Sequence, residues 1–352
     1  MALVSKAARI RWKPLLGGAA ALAVVVGVFV FVLPRVIDYA DVWDAIRDIP
    51  PVWIGVLAVA AVLNVITFAP TLMAALPGLR LRAALAVTLA STASTYIAPG
   101  GAAVGAAFTF AMLRAWGFRG QQATIGVAVS SVFNLMFTFG APAIALTLLT
   151  IEGGTNPLLR TAAVAGLIVF TIVLFSFALG LWNERQAEML GDAAARATSW
   201  LLARIGRDPV GWSGATFAEF RADAVSVLKR RWPALTAGTL SGHLTVYLLL
   251  LLSLRAVGVG SDDVTIVESF AAWSLVRLIA ALPLTPGGFG IVELGLSGTL
   301  IAFGGDQGEV LAAVLVYRFL TVVPPLVLGT LAAVTWRRHH PGWQHEDEAT
   351  AA

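Results

Sequence analysis

Four charged side chains stand inside otherwise apolar stretches of this chain: Glu268, Arg277, Glu293 and Arg318. A charge at the centre of a bilayer costs about 2.5–3.5 kcal/mol on insertion scales, so such residues pair with one another or line a polar cavity. Arg277 and Glu293 flank the segment Thr285-Pro286-Gly287-Gly288-Phe289-Gly290, which places them at similar depth on two arms of a turn, where they can pair as ions. Arg318 follows on the last apolar stretch and can meet either Glu293 or an anionic headgroup. Glu268 falls near the outer surface and is expected to be solvated. The tripeptide Pro-Gly-Gly also occurs earlier, as Pro99-Gly100-Gly101, where the polar content is hydroxyls (Ser94, Thr95, Tyr96) and opened backbone. Glycine permits positive φ and close backbone approach. A helix restarting after such a turn aims free N–H groups at it, which favours an anion. The candidate substrate-binding set is therefore Arg277, Glu293 and Arg318 with Pro99, Gly100, Gly101, Thr285, Pro286, Gly287, Gly288 and Gly290. Each also has a plainer reading: Pro-Gly-Gly makes a turn, Glu293 is a helix-start acid, and the charges hold a bundle together.

The elements that would carry these residues follow from length. Each Pro-Gly-Gly splits an apolar segment, at about 83–116 and 264–303, into halves of about fifteen residues. A half of that length rises only about 22 Å, too short for a hydrocarbon core of about 30 Å. Each segment is expected to enter the membrane, turn, and leave on the same side. Irregular backbone at that depth survives only where protein or water satisfies it, and two broken helices in corresponding places point to a transporter site.

Full apolar spans, about six in number, run at 15–33, 52–76, 121–150, 158–182, 233–254 and 310–335. Pro70, Pro142 and Pro324-Pro325 are expected to kink theirs. The positive-inside rule puts Lys6, Arg9, Arg11 and Lys13 in the cytoplasm, together with Arg80, Arg82, Arg114 and Arg119. A hairpin at the first broken segment satisfies that rule, whereas a single kinked crossing would turn the basic stretch 183–232 outward. The second hairpin then enters from outside, between Asp262-Asp263 and Asp306/Glu309. The expected organisation is a membrane half at 1–182 with the first hairpin, an interfacial cytoplasmic connector at 183–232, an inverted membrane half at 233–336 with the second hairpin, and a cytoplasmic tail at 337–352. The fold class is an all-α polytopic membrane protein with two re-entrant hairpins in an inverted repeat.

Composition narrows the function classes. The chain is 58% hydrophobic and 12% charged, which excludes a soluble globular domain. It has no cysteine, so thiol chemistry is absent. His339, His340 and His345 cluster in the tail and leave no metal constellation, and no cofactor is expected. The basic residues sit at span ends, so the net charge of +4 does not imply nucleic acid. Arginine over lysine, with abundant alanine, suits a bacterial plasma-membrane protein, and the charge pattern puts both termini in the cytoplasm. Asn64, Asn134 and His243 are expected to make hydrogen bonds between helices.

The second hairpin with Glu293 resembles the signature of the membrane domain of lysylphosphatidylglycerol synthases, which also occurs alone as flippase-like proteins. Tyr317-Arg318-Phe319 followed by Pro324-Pro325 and Gly329 is similar to that family's closing helix. The first hairpin with Met112-Leu113-Arg114-Ala115-Trp116-Gly117-Phe118 is similar to its amino-terminal motif. The resemblance implies movement of an aminoacylated anionic phospholipid, or another lipid-linked polar molecule, between leaflets. The synthases' aminoacyl-transferring domain is not expected here, so a separate partner enzyme would make the lipid. Membrane lipids are the expected partners. A transporter of a small soluble solute, an intramembrane transferase and a scaffold for an envelope complex are the alternatives. The transferase lacks an acid–base or nucleophilic constellation, and a scaffold has no need of buried charges.

Overall fold

Leucine, alanine and valine occupy all faces of these segments rather than one stripe, so the helices they form must be surrounded by apolar matter. The computed structural model describes residues 39–97, 101–152, 184–204, 214–281 and 285–335, with scattered positions between 164 and 175. Among the described residues the chain is helical, without strands. The helices are α1 (Tyr39–Arg47), α2 (Pro51–Thr67), α3 (Ala69–Ala75), α4 (Leu81–Ile97), α5 (Gly101–Ala115), α6 (Gly120–Ile151), α7 (Glu184–Arg204), α8 (Gly214–Val257), α9 (Ile266–Ala280), α10 (Ile291–Phe303) and α11 (Gln307–Thr335).

Among the described residues, four segments are long and apolar enough to cross a membrane: Pro51–Ala75, Gly120–Ile151, Arg221–Val257 and Gln307–Thr335. They coincide with the stretches expected at 52–76, 121–150, 233–254 and 310–335. The stretch at 15–33, nearly all of 158–182 and the tail lie outside the described residues. Pro70 breaks the first of the four at Phe68 into α2 and α3, since proline has no N–H for the Ile66 carbonyl. Pro142 and Pro324-Pro325 lie inside unbroken helices.

One difference from the sequence reading concerns the basic connector. Its second half does not stop before a new span; α8 runs from Gly214 through Pro233 to Val257 as one helix. Pro233 lies inside this helix, which also packs closely on its neighbours. A Cβ on Gly238 would stand 2.8 Å from the Thr71 backbone nitrogen, so α8 lies directly against the start of α3. The other arm, α7, packs on α8 and accepts the Gly214 N–H at Asp192 Oδ1, 2.7 Å away.

Two antiparallel helix pairs form around the Pro-Gly-Gly sites. In α4–α5, Gly105 faces Ser91 and Thr95 near the turn, while Met112 and Leu113 bury against Ala84 and Val87 further out. In α9–α10, Gly288 faces Ala280, Gly295 faces Val276 and Gly304 faces the Asp263 carbonyl. These arms have 17, 15, 15 and 13 residues, so they rise only about 20–26 Å. Small residues at the contacts let the arms approach closely, which drives helix association where no water is present.

The last helix ties the pairs together. α11 packs on α4, α8 and α10. At Gly329 it lies so close that an added Cβ would run into the Leu89 carbonyl and the Ala93 methyl. Gly329→Leu is therefore expected to destabilise the protein by about 1–3 kcal/mol through overpacking, read as a lower melting temperature in detergent. Large apolar side chains such as Val59, Val62, Leu331 and Val334 point outward, forming the surface that lipid covers.

Candidate functional site

Pro286–Gly288 forms a single 3₁₀ turn between α9 and α10. Gly287, Gly288 and Gly290 have φ of 60, 68 and 82°, a region where a side chain is strained. The free N–H groups at the start of α10 need acceptors. Gly290 donates its N–H to Glu293 Oε2 at 2.7 Å. The other carboxylate oxygen, Oε1, accepts from Arg318 Nε of α11 at 2.6 Å. Arg318 Nη2 also donates to the Gly287 carbonyl at 3.2 Å, and the guanidinium sits 4.8 Å from the centre of the Phe289 ring. Glu293 is 3% exposed. One ion pair thus clamps both ends of the turn to the last helix.

The partner of Glu293 is therefore Arg318, not Arg277 across the hairpin. α11 passes beside the turn, whereas the phase of α9 swings Arg277 the other way. Arg277 lies 5.3 Å from the ring centre of Trp273, four residues earlier on its own helix. Among the described residues no carboxylate lies within ion-pairing distance of it. Glu268 is a helix cap: its Oε2 accepts the Thr265 N–H at 2.9 Å while Thr265 Oγ1 accepts its own N–H at 3.1 Å.

Arg277 faces a cavity of about 680 Å³. Its walls come from both helix pairs and from the crossing helices. From α4 come Thr88, Thr92, Thr95 and Tyr96, and from α5 Ala103. From the second pair come Arg277, Thr285, Gly287 and Gly288. Asn64 and Phe68, Thr138 of α6, Val246 of α8, and Tyr317, Arg318 and Thr321 of α11 add to it. Thr88 Oγ1 and Thr285 Oγ1 are buried without a hydrogen-bond partner in the protein. Trp273 Nε1 donates to Tyr317 Oη at 3.2 Å, and Tyr96 Oη donates to the Thr321 carbonyl at 3.3 Å. The pairs meet at Tyr96, whose ring centre lies 6.2 Å from that of Phe289 and whose Cδ1 would stand 2.5 Å from a Cβ on Gly287.

Of the residues singled out by sequence, Arg277, Arg318, Thr285, Gly287 and Gly288 line this cavity. Glu293 and Gly290 sit behind its wall, and Pro286 forms the turn. Gly101 opens α5, while Pro99 and Gly100 lie outside the described residues. Thr95 was visible as a hydroxyl beside the first turn, whereas Thr88 and Thr92, which continue its row along α4, were not singled out, although their helical spacing is visible in the sequence. Tyr96 was visible only as a hydroxyl beside the first turn and Tyr317 only as part of the closing-helix resemblance, while Trp273 carries no such signal, because an aromatic residue in an apolar helix reads as packing.

The polar residues expected to bond between helices do so. Asn134 Oδ1 is 2.9 Å from His243 Nε2, and that ring stacks on Phe137 at 4.2 Å. Asn64 Nδ2 donates to Thr245 Oγ1 at 3.2 Å. Asn134→Leu is expected to cost about 0.6–1.7 kcal/mol, the range of interhelical hydrogen bonds in membranes, measurable by denaturant titration in mixed micelles.

A family model described as the lysylphosphatidylglycerol synthase TM region matches residues 18–329. No curated protein matches the chain. The apolar helices and this match agree on a membrane-embedded, multi-pass protein.

Proposed function

Since the chain belongs to the lysylphosphatidylglycerol synthase TM-region family, we propose that it is a lipid translocase, moving a phospholipid headgroup between leaflets through this cavity. The observation that carries the reading is the cavity itself, shared by both helix pairs and holding Arg277 with no carboxylate partner among the described residues. A headgroup crossing hydrocarbon alone loses its hydration, and polar groups left unpaired there cost several kcal/mol each. Threonine hydroxyls, opened glycine backbone and a guanidinium replace part of that hydration. The acyl chains remain in the surrounding lipid, so only the headgroup needs a polar route.

In this reading both pairs are re-entrant. α4–α5 enters from the cytoplasm between Arg80/Arg82 and Arg114/Arg119, and α9–α10 enters from outside between Asp262/Asp263 and Asp306/Glu309. With the stretches outside the described residues this makes about six spans in an inverted repeat, in a bacterial plasma membrane and with both termini cytoplasmic. Glu293 and Arg318 act as the clamp on the turn, and Arg277 faces the headgroup. The protein moves its lipid and does not make it; a separate enzyme supplies it.

Two experiments test this. In liposomes carrying fluorescent phospholipid, reconstituted protein is expected to expose inner-leaflet label to an external quencher. A quenched fraction equal to that of protein-free liposomes refutes translocation. Because the chain has no cysteine, single cysteines at Arg82 and Gln121 are expected to react with an impermeant thiol reagent from the cytoplasmic side, and those at Asp262 and Gln307 from outside. Opposite-side labelling within either pair refutes re-entry.

A further inference from the structure

We infer that the cavity selects a headgroup of net negative charge, a phosphodiester bearing hydroxyls, and disfavours the cationic form that results when such a lipid is aminoacylated. This rests on the translocase reading and specifies its substrate class.

The charge inventory of the wall carries the argument. Two charged side chains line the cavity, Arg277 and Arg318, and no acidic residue lines it among the described residues. Arg318 is neutralised by Glu293. That carboxylate has little left to offer a ligand: one oxygen holds Arg318 and the other holds the Gly290 N–H, at 2.6 and 2.7 Å, and the group lies behind the wall at 3% exposure. Among the described residues the cavity therefore retains one uncompensated positive charge, at Arg277. Its contact with the Trp273 ring orients the guanidinium without cancelling its charge. A phosphate oxygen entering beside Arg277 supplies the missing counter-charge and meets a planar donor suited to it. An ammonium entering the same space meets a like charge with no carboxylate to receive it, in a setting where such contacts are penalised strongly.

The neutral polar groups do not reverse this. Thr88 Oγ1 and Thr285 Oγ1, buried and unpartnered, can each donate or accept. They suit the hydroxyls of a polyol headgroup and are indifferent to its sign. Among the described residues, discrimination by charge falls to Arg277.

The test uses full-length protein in liposomes, with fluorescent phosphatidylglycerol, phosphatidylcholine and lysylphosphatidylglycerol as separate probes. Phosphatidylglycerol is expected to move about tenfold faster than the lysyl form, with phosphatidylcholine between them; tenfold corresponds to about 1.4 kcal/mol. Arg277→Gln is expected to reduce that preference to near parity. Arg277→Lys, which keeps the charge and guards against misfolding of the neutral variant, is expected to retain its direction. Lysylphosphatidylglycerol moving as fast as phosphatidylglycerol in the unaltered protein overturns the inference and leaves translocation standing. Failure of all three lipids to move overturns the translocase reading instead. Soluble glycerol phosphate, added in excess, is expected not to slow phosphatidylglycerol. Inhibition by it would replace the lipid by a dissolved oxyanion as the ligand and overturn the assignment to lipid.

Discussion

Arg318→Met, made alone, is expected to be the most damaging substitution in the membrane core, costing about 3–5 kcal/mol. It leaves the Glu293 carboxylate at 3% exposure without its counter-ion and strips the Gly287 carbonyl of a donor. A buried ion pair adds little net stability over apolar residues of the same volume, yet breaking one half is costly because the survivor stays charged in a dry place. Arg318→Met combined with Glu293→Gln is therefore expected to recover most of the loss, since the amide can still accept from Gly290 and carries no charge. The measurement is the melting temperature of each variant in detergent, with folded yield as a second readout. A double variant no more stable than Arg318→Met alone would show that the pair is not the clamp.

Gly287→Ala should fold and yet lose most translocation. Its φ of 60° costs any side chain about 1–3 kcal/mol. The added Cβ would also stand 2.5 Å from Tyr96 Cδ1, where the two helix pairs touch. A penalty of that size lowers the population of the correctly formed turn by about 5- to 150-fold, and the rate of lipid movement should fall with it. Tyr96→Ala in the same chain removes the collision but not the backbone strain, so partial recovery is expected. Gly298→Ala is the control: that glycine lies in α10 with open space where its Cβ would go. Equal rates for Gly287→Ala and Gly298→Ala would remove the turn from the transport path.

The helices were legible because their causes are local. Apolar runs of sufficient length must be helical in a membrane, and Pro-Gly-Gly at 286–288 ends one helix and starts another whatever surrounds it. Pro70 broke its span as expected, by the loss of one backbone donor. The run of α8 from Gly214 through Pro233 to Val257 was not legible in the same way, since the connector and the span were read as separate stretches.

The site divides along the same line. That Arg277, Glu293 and Arg318 could not stand alone in an apolar chain follows from composition and the cost of burying charge. Which of them pair does not follow, because spacing along the sequence fixes depth but not the rotation of one helix about its axis relative to another. Only the crossing of α11 beside the turn gives Glu293 to Arg318 and leaves Arg277 on the Trp273 ring, facing the cavity. The contact of Tyr96 with Gly287 is of the same kind: each residue has an ordinary local role, and their meeting depends on how two separately formed helix pairs dock.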